Sequence, residues 1–218
     1  KPVLFQRDRW PAHKAAMEQL LERGLAYWCG CSRSELPASR VYPGTCRNGL
    51  PAGKSPRAVR IRTESTPVCF VDGIRGPQQD SLEQSVGDFV IWRADGLPAY
   101  QLSVAVDDAH QVITDVFRGS DLLRSTARQI WVLQKLGLPV PAYAHHPVAT
   151  TADRIKLSKR LASDPVVTVS RPETLARALR FLGQPCPRGL DLEAAWRWAR
   201  HHWNISAVPR TDSIVLQS

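Results

Sequence analysis

From Tyr27 to about Arg57 the chain is dominated by Cys, Pro, Gly and Ser and holds few aliphatic side chains. A compact domain does not carry so long a bare loop unless something other than an apolar core orders it. Cys29-Gly30-Cys31 and Cys46 lie inside that stretch. Cys-x-Cys with a third Cys offers three soft ligands, which suit tetrahedral zinc. The fourth ligand is not an obvious Cys or His: His13 lies upstream, and the next His is His110. Tyr42, four residues before Cys46, is the available neighbour, because a bound cation lowers the pKa of a phenol. The competing reading is three unligated buried thiols. Packing three of the five cysteines into 18 residues weighs against it. Cys69 and Cys186 stand apart and read as plain core or surface residues.

The rest of the chain can build an ordinary core. Of its 218 residues, 43% are hydrophobic and 22% charged, which excludes collagen-like and fully disordered chains. The length allows one large domain or two smaller ones. No apolar run approaches the roughly 18 residues that a membrane helix needs. Five cysteines without a secretory signal point to thiols or a metal rather than disulfides. The opening Lys1-Pro2-Val3-Leu4-Phe5 reads like the inside of a folded unit, so a fragment is expected. A formal charge of +9 and a pI near 9.8 favour a polyanionic partner such as nucleic acid. However, 23 of the 29 basic residues are Arg, a skew that a high-GC genome also produces. Charge alone therefore leaves the partner open.

A helix is expected from about Trp10 to Arg23, with Pro11 in its first turn and Gly24 as its stop. Ala58–Arg62 and Val68–Val71 read as strands, with a turn at Asp72-Gly73. Asp88–Arg93 and Ala99–Val106 read as the arms of a hairpin turning at Asp95-Gly96. Val112–Phe117 is another strand candidate, followed by a helix to about Leu136 whose apolar face is Ile130, Leu133 and Leu136. Ala142–Val148 leads to a further strand and a polar loop. Ser170-Arg171-Pro172-Glu173 has the capping-box pattern ahead of Leu175, Leu179 and Leu182. Asp191 is placed to cap a last helix carrying Trp196, Trp198 and Trp203. The order of elements predicts a mixed α/β domain followed by a smaller helical one.

Lys156-Leu157-Ser158-Lys159-Arg160 places three cations beside a Ser, a pattern that can follow developing phosphate charge in nucleotidyl transfer. A short basic run is equally a solvated face. Tyr100 and Arg118 are weaker candidates, since a strand Tyr is normally core and a strand-end Arg normally surface. Gly119 after Arg118 permits close approach of a carboxylate ligand to the backbone. Asp107-Asp108 can bind a metal or make a turn between strands.

Together, Cys29-x-Cys31, Tyr42-x-x-x-Cys46, Asp95-Gly96-Leu97-Pro98-Ala99-Tyr100-Gln101-Leu102, Val106-Asp107-Asp108, Arg118-Gly119-Ser120-Asp121-Leu122 and Lys156-Leu157-Ser158-Lys159 resemble the glutamyl-Q tRNA(Asp) synthetases. These are short paralogues of glutamyl-tRNA synthetase that lack its anticodon-binding domain. Phe181-Leu182-Gly183-Gln184 and Trp203-Asn204-Ile205-Ser206-Ala207-Val208-Pro209 resemble the paralogue's closing segments rather than the parent's. The Lys-Leu-Ser-Lys motif is shared by many class I synthetases, whereas the Tyr-containing cysteine set and the tail discriminate.

The resemblance implies an α/β fold: a class I Rossmann-type catalytic domain with a zinc-binding insertion and a small C-terminal helical domain. The implied boundaries are 1–26 for a helical part of the catalytic domain and 27–57 for the zinc insertion. Residues 58–150 would be the remainder of the Rossmann-type domain, and 151–218 the KMSKS-type loop with a helical stem-contact-like domain. The implied chemistry is glutamate activation with ATP and Mg2+, without tRNA. Transfer to the queuosine base at the wobble position of tRNA(Asp) then follows. By the same resemblance Tyr100 and Arg118 bind L-glutamate, Lys159 binds ATP and acts with Lys156 in catalysis, and one zinc ion sits on Cys29, Cys31, Tyr42 and Cys46. A cytoplasmic monomer without a membrane partner is expected. The family's first strand, HIGH-type motif and acidic glutamate-binding residue are not in this sequence, so this polypeptide by itself is expected not to form the adenylate. Two alternatives are a truncated discriminating glutamyl-tRNA synthetase, against which the tail argues, and a non-catalytic zinc-containing RNA-binding module, which the charge permits.

Overall fold

The structure is a computed structural model that describes residues 3–35, 41–157 and 170–216. It divides into two units: residues up to 70, 77–116 and 124–142 form the first, and 71–76, 117–123 and 143 onward form the second.

The first unit carries an antiparallel sheet of β1 (Ala26–Cys29), β2 (Ala58–Ile61) and β5 (Val90–Trp92), in the order β1-β2-β5. Register runs from Ala26 opposite Ile61 to Cys29 opposite Ala58. The stretch read as irregular from Tyr27 therefore begins inside a strand. All four β2 residues are buried, Arg60 included, so the alternating pattern that reads as one wet face is covered on both. Helix α1 (Trp10–Glu22) buries His13, Met17 and Leu20. Helix α4 (Leu123–Leu136) buries Ile130, Trp131, Leu133 and Leu136, each large apolar side chain contributing roughly 1.5–3 kcal/mol.

The expected strand at Ala99–Val106 is instead helix α3 (Tyr100–His110). The Asp95-Gly96 turn does form, with the Gly96 N–H donating to the Arg93 carbonyl at 3.1 Å, and one antiparallel bridge joins Trp92 to Pro98. Pairing stops there because the Ser103 N–H turns back to the Ala99 carbonyl and starts the helix. The alternation misled because Gln101, Leu102, Ser103, Ala105, Val106 and Asp107 are all buried. Polar members of that set are accommodated by hydrogen bonds such as Gln101 to Ser125 at 3.2 Å, not by solvent. Likewise Asp107-Asp108 is no inter-strand turn but lies within α3. The next strand, β6 (Asp115–Gly119), starts three residues later than expected, since Val112 adopts φ 56° in the turn leaving α3. Strand β3 (Val68–Asp72) appears where expected, whereas β4 (Gly76–Asp80) has a Gly-Pro-Gln-Gln-Asp sequence with no strand signal.

In the second unit the ends of β3, β7 (Ala142–His146) and β6 lie side by side in that order, with Asp72 parallel to and opposite Tyr143. A separate parallel pair joins β8 (Val148–Thr150) to β9 (Ser213–Val215). Helices α5 (Arg171–Phe181) and α6 (Leu192–His202) pack through Ala176, Leu179, Cys186 and Ala199. Asp191 caps α6 as expected, accepting from the Ala194 N–H at 2.7 Å, but the helix ends at His202, and Trp203, expected on it, is its C-cap. The capping box at α5 does not form: the Ser170 side chain makes no cap bond, and Glu173 pairs with Arg180 at 2.7 Å instead. Among the described residues no helix is long and apolar enough to cross a membrane.

Candidate functional site

β1 delivers Cys29, and the chain leaving it presents Cys31. Tyr42 is pinned by its backbone N–H, which donates at 3.1 Å to the carbonyl of Val86 at the end of the short helix α2 (Leu82–Ser85), and by a bridge to Gly87. Only glycine fits there: φ is 66°, and a Cβ would stand 2.4 Å from the Tyr42 carbonyl oxygen. Cys46 follows in a turn whose N–H donates to Tyr42 Oη at 2.9 Å.

The donor atoms converge. Tyr42 Oη lies 3.4 Å from Cys29 Sγ and 3.7 Å from Cys31 Sγ, and Cys31 Sγ lies 3.6 Å from Cys46 Sγ. All three sulfurs are within 4.8 Å of one another. Ligands about 2.0–2.3 Å from a tetrahedral ion stand roughly 3.5–3.8 Å apart, so these three sulfurs and one phenol oxygen can hold such a metal. Cys29 and Cys46 are fully buried, Tyr42 nearly so and Cys31 partly. Burial raises the Cys29 thiol, but hydrogen bonds from Tyr42, the Cys31 backbone and Arg60 outweigh it and bring the thiol to about 7. Cys31 and Tyr42 are both pushed up, chiefly by burial. A central cation would reverse those two shifts.

Two residues that build this centre escape sequence reasoning. Arg60 donates Nε–H to Cys29 Sγ at 3.3 Å, stacks its guanidinium 3.7 Å from the Tyr42 ring centre, and donates to the Asp88 carbonyl at 2.7 Å. Buried Asp88 accepts from Tyr27 Oη at 2.6 Å and from the Thr63 N–H at 2.7 Å, tying β1 to the strand beside it. Asp107 is likewise engaged by side chains of the fold. It accepts from Arg9 at 3.2 Å and pairs with buried His13 at 2.9 Å.

Tyr100 belongs to the first unit, where it opens α3 and is 47% exposed rather than core. Arg118 belongs to the second unit, on β6. Its Nε–H donates to His145 Nε2 at 3.0 Å and its guanidinium sits 5.4 Å from the Tyr143 ring centre. The carboxylate drawn close to Gly119 is the chain's own, since a Cβ there would meet Asp121 Oδ1 at 2.6 Å. Asp121 also takes Lys156 Nζ at 2.5 Å, with Lys156 half exposed. Ser158 and Lys159 lie outside the described residues.

Behind Arg118 is a group that no sequence motif announces. His145 Nδ1 lies 2.5 Å from Asp72 Oδ2, and both side chains are fully buried. Asp72 Oδ1 accepts three backbone N–H groups, from Ile74 at 3.0 Å, Arg75 at 2.9 Å and His145 at 3.1 Å. Burial opposes ionising Asp72, but those bonds and His145 win and hold its pKa low. Burial lowers His145, so it is held neutral beside the Arg118 cation. A guanidinium only donates, so His145 Nε2 must accept and Nδ1 must carry the proton given to Asp72.

The family described as tRNA synthetases class I (E and Q), catalytic domain, matches residues 2–180. A glutamyl-Q tRNA(Asp) synthetase of Dechloromonas aromatica is 47% identical, over 99% of this chain and 75% of that protein. One from Pseudomonas aeruginosa is 44% identical, over 96% of this chain and 72% of that protein. The chain belongs to the glutamyl-Q tRNA(Asp) synthetases.

A glutamyl-Q tRNA(Asp) synthetase is an aminoacyl-tRNA synthetase-like ligase, and the expected class I α/β catalytic fold is borne out. A glutamate tRNA ligase of Elizabethkingia meningosepticum, solved with its amino acid, matches with TM-score 0.62 and 25% identity, over 73% of this chain and 37% of that one. A glutamate-tRNA synthetase of Elizabethkingia anophelis matches with TM-score 0.72 and 21% identity, over 98% of this chain and 52% of that one. The chain thus spans about half or less of those larger synthetases and about three-quarters of its curated relatives.

Proposed function

We propose that this protein activates L-glutamate with ATP, without needing tRNA for that step, and transfers it to the queuosine base at the wobble position of tRNA(Asp). The observation that carries this reading is the 42–47% identity to glutamyl-Q tRNA(Asp) synthetases over nearly the whole chain.

The chemistry follows from the residue types. A carboxylate oxygen of glutamate attacks the ATP α-phosphorus in line, and pyrophosphate leaves with the electron pair of the broken P–O bond. Lys159, with Lys156, would stabilise charge growing on the phosphates, with Mg2+ accompanying the nucleotide. Lys156 resting on Asp121 keeps that cation beside the Arg118-Gly119-Ser120-Asp121 turn until phosphate competes for it. The planar fork of Arg118 suits a substrate carboxylate, which it would hold by charge-assisted hydrogen bonds. Exposed Tyr100 would add a hydroxyl and a wall. A hydroxyl of the cyclopentene ring of queuosine then attacks the activated carbonyl, and AMP leaves. Cys29, Cys31, Tyr42 and Cys46 would hold one zinc ion, which supplies local order to residues 27–57 and takes no part in the bond changes.

The test is the fate of labelled glutamate. The whole protein, given ATP and queuosine-containing tRNA(Asp), should esterify the modified base, and glutamate-dependent ATP–pyrophosphate exchange should proceed without tRNA. Label on the terminal adenosine would instead make it a glutamyl-tRNA synthetase.

A further inference from the structure

Arg118 does not choose its own orientation. It stands on β6, half-buried, with Nε–H seated on His145 Nε2 at 3.0 Å. His145 stands on the neighbouring β7 and cannot rotate away, because its other nitrogen is 2.5 Å from Asp72 Oδ2. Asp72, at the end of β3, is immobilised in turn by three backbone N–H groups on its Oδ1. Three adjacent strand ends thus each supply one link of a linear chain, carboxylate to imidazole to guanidinium. Two of the three links are fully buried. A purely structural Asp–His pair has no need to offer its second imidazole nitrogen as an acceptor to a cation. Here that nitrogen is the seat of the residue on which substrate recognition is proposed to depend.

We propose that His145, held in its Nδ1–H tautomer by Asp72, is a positioning residue that aims the Arg118 guanidinium and thereby sets the affinity for the substrate carboxylate. This rests on the reading of Arg118 as a glutamate-binding residue.

The chain of bonds names its own probe. In Asp72→Asn the amide oxygen keeps the three backbone N–H groups, so the amide NH2 faces His145 Nδ1. That nitrogen must now accept, the proton moves to Nε2, and Nε2–H confronts the Arg118 donors. The shape of the core is unchanged, while the sign of the contact to Arg118 is reversed. In the whole protein, with the family's N-terminal segment present, glutamate KM in ATP–pyrophosphate exchange should rise about tenfold or more, which is ~1.4 kcal/mol. ATP KM should stay within about twofold, and kcat at saturating glutamate should be largely kept. Nitrogen-15 NMR should show the His145 tautomer switched and the protected Arg118 Nε–H signal lost. If Asp72→Asn does not fold, His145→Asn serves: its amide can still serve Asp72 but offers nothing at the Nε2 position, and the same rise is expected. His145→Gln, which returns an acceptor near that position, should recover part of the loss.

An unchanged glutamate KM in a folded variant with the switched tautomer would overturn the proposal. So would an equal rise in both KM values. Whole wild-type protein, with the family's N-terminal segment present, lacking glutamate-dependent exchange would overturn the functional reading instead. The NMR signals would then decide the positioning: loss of the Arg118 signal in Asp72→Asn upholds it, and persistence overturns it.

Discussion

Around Tyr42 the donor atoms face inward on one point, with Cys31 and Cys46 sulfurs 3.6 Å apart and the phenol oxygen 3.4 Å from Cys29. Around His145 donors and acceptors instead run in line, from Asp72 to the Arg118 guanidinium. Both clusters are buried and polar, but their stoichiometry differs. Asp72 and His145 satisfy each other, and His145 seats the Arg118 Nε–H, so that cluster calls for no cation. Three thiols and a phenol offer many lone pairs and few strong donors, and burial pushes Cys31 and Tyr42 toward their neutral forms. A convergent set of that kind can be completed by a cation, whereas a linear set can aim its terminal member.

The sharpest break in this comparison comes from the convergent side. Replacing Cys29 and Cys31 together by Ser should abolish stoichiometric zinc in metal analysis and make residues 27–57 protease-sensitive. The helices and strands elsewhere should survive, because their cores are apolar. Zinc retained at one per chain in that double variant would sink the metal assignment.

On the linear side, in the whole protein with the family's N-terminal segment present, Arg118→Ala should raise the glutamate requirement by about 100-fold, ~2.7 kcal/mol, since a carboxylate loses its charged partner. Saturating glutamate should rescue much of the rate. Lys159→Ala should also cut ATP–pyrophosphate exchange by about two orders of magnitude, but without rescue by glutamate. Initial rates over a wide glutamate range separate the two defects, and matching behaviour would mean that the roles are wrongly divided.

Tyr42→Phe sharpens the comparison further. It removes one donor of four while keeping the ring against Arg60. Zinc should remain bound, but with affinity lowered by at least the ~10–100-fold that loss of an outer partner typically costs. Competition with a chromophoric chelator would measure it, and wild-type affinity would exclude Tyr42 from the ligand set.

The smallest effect is on pH. His145 is lowered in the fold by burial, with Arg118 and His146 adding to the shift and Asp72 opposing it. Its neutral form therefore stabilises the fold above the unfolded value near 6.5, and that stability is lost as pH falls. Asp72, also lowered, adds a second loss below about pH 4. Unfolding free energies from urea titrations should fall between pH 7.5 and 5.5 by no more than ~1.4 kcal/mol per pH unit, and His145→Asn should flatten that slope.

The amino-acid sequence by itself singled out a candidate ligand set and much of the skeleton. Cys29, Cys31, Tyr42 and Cys46 were legible because ligands must be of particular types and because few aliphatics surround them. Helices α1, α4 and α6 were legible from 3.6-residue periodicity and local caps such as Asp191, which are properties of neighbours in sequence. Tertiary structure alone decided that Tyr100 begins a helix, because alternation of Gln101, Leu102 and Ser103 mimics a half-buried strand until both faces prove covered. It alone decided that Arg60 turns inward onto Cys29 and Tyr42. It alone assembled Asp72, His145 and Arg118, which lie 73 and 27 positions apart along the chain. Local pattern carries no information about a hydrogen bond whose partners meet only when separate strands are laid side by side.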